Sequence, residues 1–194
     1  DHMKYKRQCY SICSSDLSGC YDRILHNAAA LALLKLGFSK QVIRTMYEPI
    51  QKMVHRVRTA FGTSEISSTW EDTENWENAP QGKLQGNASG PSIWSILSSV
   101  IFKILRRKGF SSVFCSALSK QLFMLVGFMY VDDADLIQTQ GQSPMEVLES
   151  MQRLITEWGS LMAVTGGVLE TTKSWWYLVE FVWHRGNWIA VDAL

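Results

Sequence analysis

The stretch GFMYVDDADLIQ, residues 127–138, restricts the fold more than any other part of the chain. Apolar runs on either side of a short acidic break read as a hairpin with Asp132 and Asp133 at its turn, a third carboxylate, Asp135, following two residues later. Two strands anchor those aspartates in a sheet, so they could hold a hard divalent cation without being reorganised at each turnover. Such a cation takes oxygen ligands, and one hairpin rarely supplies enough of them, so a carboxylate on a neighbouring strand is expected. Asp16 is the candidate: it follows the strand-like run CYSICSS and precedes the turn LSGCY.

The rest of the chain reads as alternating helices and strands. Residues 7–16 read as a strand ending near Asp16, and the Ala/Leu-rich run 24–36 as a buried helix stopped by Gly37. Ser39 caps a second helix in which Pro49 forces a kink or an end, and residues 54–62 alternate as a strand with Arg56 and Arg58 on one face. Residues 63–79 are acidic and patternless and read as a loop. A helix opens between Gly86 and Pro91 and runs to about Arg107, its inner face carrying Ile93, Ile96, Leu97, Val100, Ile101 and Ile104, with Gly109 ending it. Residues 121–131 read as one strand, followed by the aspartate turn and a second strand to Gln138. Ser143-Pro144 starts an amphipathic helix through Leu148, Met151, Leu154, Ile155 and Trp158, and a Gly-Gly turn then leads into strand-like aromatics. The fold class is therefore α+β, an antiparallel sheet backed by helices.

With 46% hydrophobic and 19% charged residues, the 194-residue chain can bury a core. Its longest apolar runs are too short to span a bilayer, and its N-terminus lacks the apolar segment of a secretory signal, so no membrane partner and an intracellular location are expected. The chain opens on Asp-His-Met, which reads as a fragment of a longer protein. Cys9, Cys13, Cys20 and Cys115 fit no zinc spacing and read as core or strand thiols, and His2, His26, His55 and His184 have no ligand partners at useful spacing. Up to residue 60, Lys4, Lys6, Arg7, Arg23, Lys35, Lys40, Arg44, Lys52, Arg56 and Arg58 face only Asp1, Asp16, Asp22 and Glu48. A basic half of this kind attracts a phosphate backbone, although a solvated helix face also explains such runs.

Four short stretches then fall in order. SDLSGCYDRI holds Asp16, Tyr21 and Asp22; QGNASGP holds Gln85, Gly86 and Pro91; YVDD is Tyr130 to Asp133; and in GGVLETTKS Lys173 lies six residues beyond Gly167. Their order and spacing resemble motifs A, B, C and D of the reverse transcriptase palm, in the form found in eukaryotic retrotransposons, over about residues 9–183. Two Gln-Gly pairs, at 81–82 and 85–86, are open for motif B. The family's spacing of six from Gln to Pro selects Gln85.

The resemblance implies RNA-directed DNA synthesis, in which a primer 3′-hydroxyl attacks the α-phosphate of an incoming dNTP and pyrophosphate leaves. It implies two Mg²⁺ or Mn²⁺ ions about 3.5–4 Å apart. Asp16 and Asp132 would bridge both, the Leu17 carbonyl would help hold the nucleotide's ion, and Asp133 would support them. The backbone of Leu17, Ser18, Gly19, Cys20 and Tyr21 would cradle the triphosphate, with Gln85 and Gly86 against the nucleotide and template base. Tyr130, Gly86 and Pro91 would lie along primer and template, and Lys173 would protonate the departing pyrophosphate. An aromatic at Tyr21 and YVDD rather than a Gly-Asp-Asp signature both imply deoxynucleotides, the ring leaving no room for a 2′-hydroxyl. Among Trp175, Trp176, Trp183 and Trp188, core packing is expected for each, although the family's primer grip lies in that region.

On this reading residues 1–37 and 85–183 are palm, 38–84 a partial fingers segment with an acidic loop, and 184–194 a C-terminal tail. The first fingers segment and the thumb are expected elsewhere in a polyprotein, leaving the isolated chain inactive. The partners implied are RNA template, DNA primer, dNTPs and the remaining fingers and thumb. The competing reading is a domesticated or decayed palm that serves as a scaffold or RNA-binding module. Intact Asp16, Tyr21, Gln85, Asp132 and Asp133 favour the enzyme, because clustered carboxylates are costly to keep without use.

Overall fold

A computed structural model describes residues 2–68, 82, 89–116 and 118–192. The chain order is α1 (His2–Lys6), β1 (Tyr10–Ser15), β2 (Leu17–Ser18), α2 (Cys20–Arg23), α3 (His26–Lys35), α4 (Lys40–Gln51), β3 (His55–Thr59), β4 (Gly62–Ser68) and α5 (Ser89–Arg107). There follow β5 (Ser112–Cys115), β6 (Leu122–Leu125), β7 (Gly127–Tyr130), β8 (Asp133–Gln138), α6 (Pro144–Thr165), β9 (Val168–Leu169), β10 (Trp175–His184) and β11 (Asn187–Asp192). The chain divides into two compact units, Asp1–Cys20 with Ser98–Leu194, and Tyr21–Leu97. The second unit holds α3, α4 and the β3–β4 hairpin, and the first holds the main sheet.

The first unit is built on an antiparallel five-stranded sheet in the order β11-β10-β1-β8-β7. Alternation along β8 buries Ala134, Leu136 and Gln138 and leaves Asp133 and Asp135 on the open face. Helix α6 covers the buried face because Val147, Met151, Leu154, Trp158 and Met162 recur at helical spacing, all fully buried. Leu148 and Ile155, expected on that face, lie at its margin and are only half-buried. The ends of α6 are those the sequence marks. Ser143 Oγ accepts the Glu146 N–H at 3.3 Å, Pro144 occupies the first turn, and Gly166 at φ 90° closes the helix.

Helix α5 buries Ile93, Leu97, Ile101 and Leu105, one every four residues. Ile96, Val100 and Ile104, expected on its inner face, are half-buried instead, because the burial centre is shifted toward Trp94, Ser98 and Leu105. In the second unit α3 and α4 pack together, and α3 ends in paired bonds from Phe38 N–H to Leu33 O and Gly37 N–H to Leu34 O, with Gly37 at φ 92°. Pro49 sits in the last turn of α4, which ends two residues later.

Four expectations are corrected. Residues 63–68 are not loop but β4, paired with β3 across a register shift between Arg56 and Arg58; their backbone groups are satisfied by pairing despite the polar sequence. The rest of the expected acidic loop, 69–79, lies outside the described residues. The expected single strand 121–131 breaks at Val126 into β6, which pairs with β5, and β7, which pairs with β8. Asp135 O approaches the Gly127 backbone so closely that a Cβ there would lie 2.3 Å from it, so the chain can only pass as glycine. The C-terminal tail is an integral edge strand, since β11 pairs with β10 from Asn187 to Asp192. Finally, Trp175, Trp176, Trp183 and Trp188 are 53%, 36%, 60% and 42% exposed rather than in the core. The β10–β11 hairpin extends past the start of β1, and there Trp183 packs on Trp188 at 5.5 Å with the Arg7 guanidinium 4.7 Å from the Trp188 ring; Trp175, opposite Ser14, packs on Tyr177 at 5.5 Å.

Candidate metal and nucleotide site

Strands β1 and β8 are neighbours in register, Ser15 opposite Ala134. One step further along the same ladder, Asp16 comes level with Asp133, and the Leu17 N–H donates to the Asp132 carbonyl at 3.2 Å. Backbone pairing thus holds the segments carrying Asp16, Asp132 and Asp133 together. From below, Trp158 Nε1 donates to Ser15 Oγ at 3.1 Å, and that hydroxyl donates to the Ala134 carbonyl. Asp16 is therefore the first residue beyond a strand end whose buried side is fully tied.

The hairpin tip is strained. Tyr130 pairs with Asp133, leaving Val131 and Asp132 as a two-residue connection with Val131 at φ 58°. A β-branched residue there is an outlier costing about 1–2 kcal/mol, and such costs persist where surrounding structure over-determines them. Asp132 is half-buried and Asp133 exposed, with Tyr130 80% exposed beside it on the open face.

On its other side Asp16 meets the segment after α6. Its carbonyl accepts the Glu170 N–H at 2.9 Å, and its own N–H donates to Ser174 Oγ at 3.3 Å. Strand β2 pairs with β9, Leu17 opposite Leu169 and Ser18 opposite Val168, so the segment carrying Lys173 is fastened to the segment carrying Asp16. Lys173 Nζ lies 3.4 Å from Asp16 Oδ2. Glu170 and Ser174 were not singled out from the sequence; their only signal is adjacency to Lys173.

Gly19 turns the chain at φ 58° from β2 into α2, where Cys20 is buried and Tyr21 half-buried. The Tyr21 ring lies against Gly90 at the start of α5, where an added Cβ would be 3.6 Å from the ring. Pro91, third residue of α5, is exposed. Gln85 and Gly86 lie outside the described residues. His26 is a structural hub: its Nε2 pairs with the Gly82 carbonyl at 2.7 Å and its Nδ1 with Gln51 Nε2 at 3.2 Å. A cavity of about 320 Å³ beside it, lined by Arg44, Tyr47 and Gln51 among others, includes none of the expected site residues. The four cysteines are thiols, Cys13 and Cys20 buried.

Among the described residues no three His, Cys, Asp or Glu side chains converge as a ready-made metal cage, and no helix is long and apolar enough to cross a membrane. The donor set still fits a hard divalent ion of the kind that takes one or two carboxylates and completes its shell with water and phosphate. Asp16 offers a partly exposed carboxylate oxygen, and a cation, the Lys173 ammonium, already stands beside it.

No protein-family model matches the chain, and no curated protein matches it. Solved structures do. The chain is similar to apo telomerase from Candida tropicalis, with a TM-score of 0.54 and 15% identity over 96% of this chain and 32% of that one. A form of the same telomerase truncated from its C-terminal domain gives 0.48 and 16% identity over 99% and 36%. Telomerase from Candida albicans in complex with a fragment of telomeric RNA gives 0.45 and 17% over 93% and 29%. The chain thus spans about a third of the length of these structures. The first likeness shows the fold, an α+β arrangement with an antiparallel sheet, as in that telomerase.

Proposed function

We propose that the chain is the palm, with part of the fingers, of a retroelement RNA-directed DNA polymerase that adds dNTPs to a DNA primer on an RNA template. The observation that carries this reading is the Leu17–Asp132 hydrogen bond beside the Ser15–Ala134 pair, which draws the segments bearing Asp16 and Asp132 together at the end of two neighbouring strands. Asp16 and Asp132 would hold two Mg²⁺ or Mn²⁺ ions, with the Leu17 carbonyl and Asp133 assisting. Bound there, the ions would lower the pKa of the primer hydroxyl and stabilise the leaving oxygens.

The chain's own residues supply the rest. The turn from Leu17 to Tyr21 would offer backbone N–H groups to a triphosphate, and the Tyr21 ring, which packs toward Gly90, would exclude a sugar 2′-hydroxyl. Gln85 and Gly86 would contact the nucleotide and template base. Tyr130, exposed next to the aspartates, and Pro91 would line primer and template. Lys173, 71% exposed, would donate a proton to departing pyrophosphate.

The test is primer extension on an RNA template by the longer protein that carries this chain. Extension lost in Asp132→Asn, with RNA binding retained, supports the polymerase. RNA binding without extension in the parent protein points to the scaffold reading instead.

A further inference from the structure

Resting on the metal reading above, we propose that Lys173 is an internal counter-cation for Asp16, which a divalent ion must displace in order to bind. The ammonium lies 3.4 Å from Asp16 Oδ2, so it occupies one side of the carboxylate the metal would use. This proximity follows from how the backbone is fixed. Glu170 N–H donates to the Asp16 carbonyl at 2.9 Å, and Asp16 N–H donates to Ser174 Oγ, which donates in turn to the Glu170 carbonyl at 2.8 Å. The N–H groups of Lys173 and Ser174 both donate to that same carbonyl at 3.1 Å. Lys173 is thereby held between two residues tied to Asp16, one on each side. The nearest acid on its own turn, Glu170, accepts the Thr172 hydroxyl at 2.7 Å, which leaves Asp16 the better anchor for the ammonium.

The side-chain exposures set the strength of the contact. Lys173 is 71% exposed and Asp16 19%, so the pair is screened on the lysine side and worth what an exposed ion pair is worth. It cannot exclude a metal; it lowers the apparent affinity by competing for one oxygen. Displacement frees a flexible ammonium with three donors at the moment when the ion brings a triphosphate to the site. Metal loading and release of the proton donor are then a single event.

The experiment is Mn²⁺ binding to the full chain, followed by the spin-resonance signal of the free ion, with no nucleic acid or nucleotide present. Lys173→Met should tighten binding about two- to fivefold, the size expected for removing an exposed competitor. Lys173→Arg, which restores a cation, should return it to the parent value. Asp16→Asn should weaken binding about tenfold or more, and adding Lys173→Met to it should then change nothing, as for a cycle whose shared partner is gone. Unchanged or weaker Mn²⁺ binding in Lys173→Met, with Asp16→Asn still weakening it, overturns the counter-cation while leaving the metal site in place. Parent-level binding in Asp16→Asn overturns the metal reading itself, and the counter-cation with it.

Discussion

Trp158 donates its indole N–H to Ser15 Oγ at 3.1 Å, both residues being buried beneath the sheet one position before Asp16. The contact couples the helix α6 core to the strand end from which the candidate site projects. Trp158→Phe keeps the packing against Phe102, whose ring lies 5.7 Å away, but removes the donor. Stability should fall by about 1–3 kcal/mol, and Trp158→Ala should cost about 3–5 kcal/mol. Urea melts of the two variants check this, and an unchanged midpoint in Trp158→Phe would mean that the hydrogen bond contributes nothing beyond ring packing.

Cys13 lies in the middle of β1 with 5% of its surface exposed. Burial, reinforced by the nearby Asp135 charge, pushes its thiol up from an ordinary value of 9.0 to about 11. A raised native pKa means that the unfolded chain loses its proton first, so stability is fully present below pH 9 and is lost as pH rises toward 11. Between pH 7 and 10.5 Cys13 should account for about 2 kcal/mol of lost stability. Cys13→Ala has a constant packing penalty but should lose that much less over the same interval. Parallel pH profiles for the two proteins would rule out the thiol as the source.

The left-handed Val131 offers a stabilising substitution. Asn tolerates φ near 58° far better than a β-branched residue does, and it can keep the two-residue turn. Val131→Asn should raise stability by about 1 kcal/mol. A lower denaturation midpoint would show that valine packing outweighs the strain. If the tip geometry serves the aspartates, Mn²⁺ affinity should also shift in this variant.

Tyr21 is the residue proposed to set sugar choice. Its ring lies against Gly90, so Tyr21→Ala opens space there while leaving the Leu17–Asp132 backbone bond its own partners. In the polymerase proposed above, single-nucleotide extension with matched dNTP and rNTP should show the dNTP preference falling about a hundredfold, with dNTP incorporation much less affected. A variant that still extends with dNTP but keeps its preference would remove Tyr21 as the gate.

Much of the fold around the candidate site was legible because strand runs, turns and helix caps are marked locally in the sequence. The acidic break at residues 132–133, the strand before Asp16 and the caps at Ser39, Ser143 and Gly166 each announce themselves within a few residues. The parts that escaped depend on partners far along the chain. The polar run 63–68 becomes a strand only because β3 lies beside it, and the break at Val126 follows from Asp135 closing on Gly127. Likewise the burial of His26 needs Gly82 and Gln51, 56 and 25 residues away, and nothing near His26 foretells them. Ser174 is the sharpest omission, a small polar residue that matters solely through a bond to a strand end 158 residues earlier.

The order β11-β10-β1-β8-β7 makes β1 the central strand, with β8 inside the edge formed by β7. Local opening begins where a strand has one neighbour and reaches the middle of a sheet only at a cost near that of global unfolding. Amide protons of Ile12 to Ser15 should therefore exchange with solvent orders of magnitude more slowly than those of Asn187 to Asp192. Fraying at β11 can then proceed on its own timescale, while the strand leading to Asp16 keeps its shape until the whole unit comes apart.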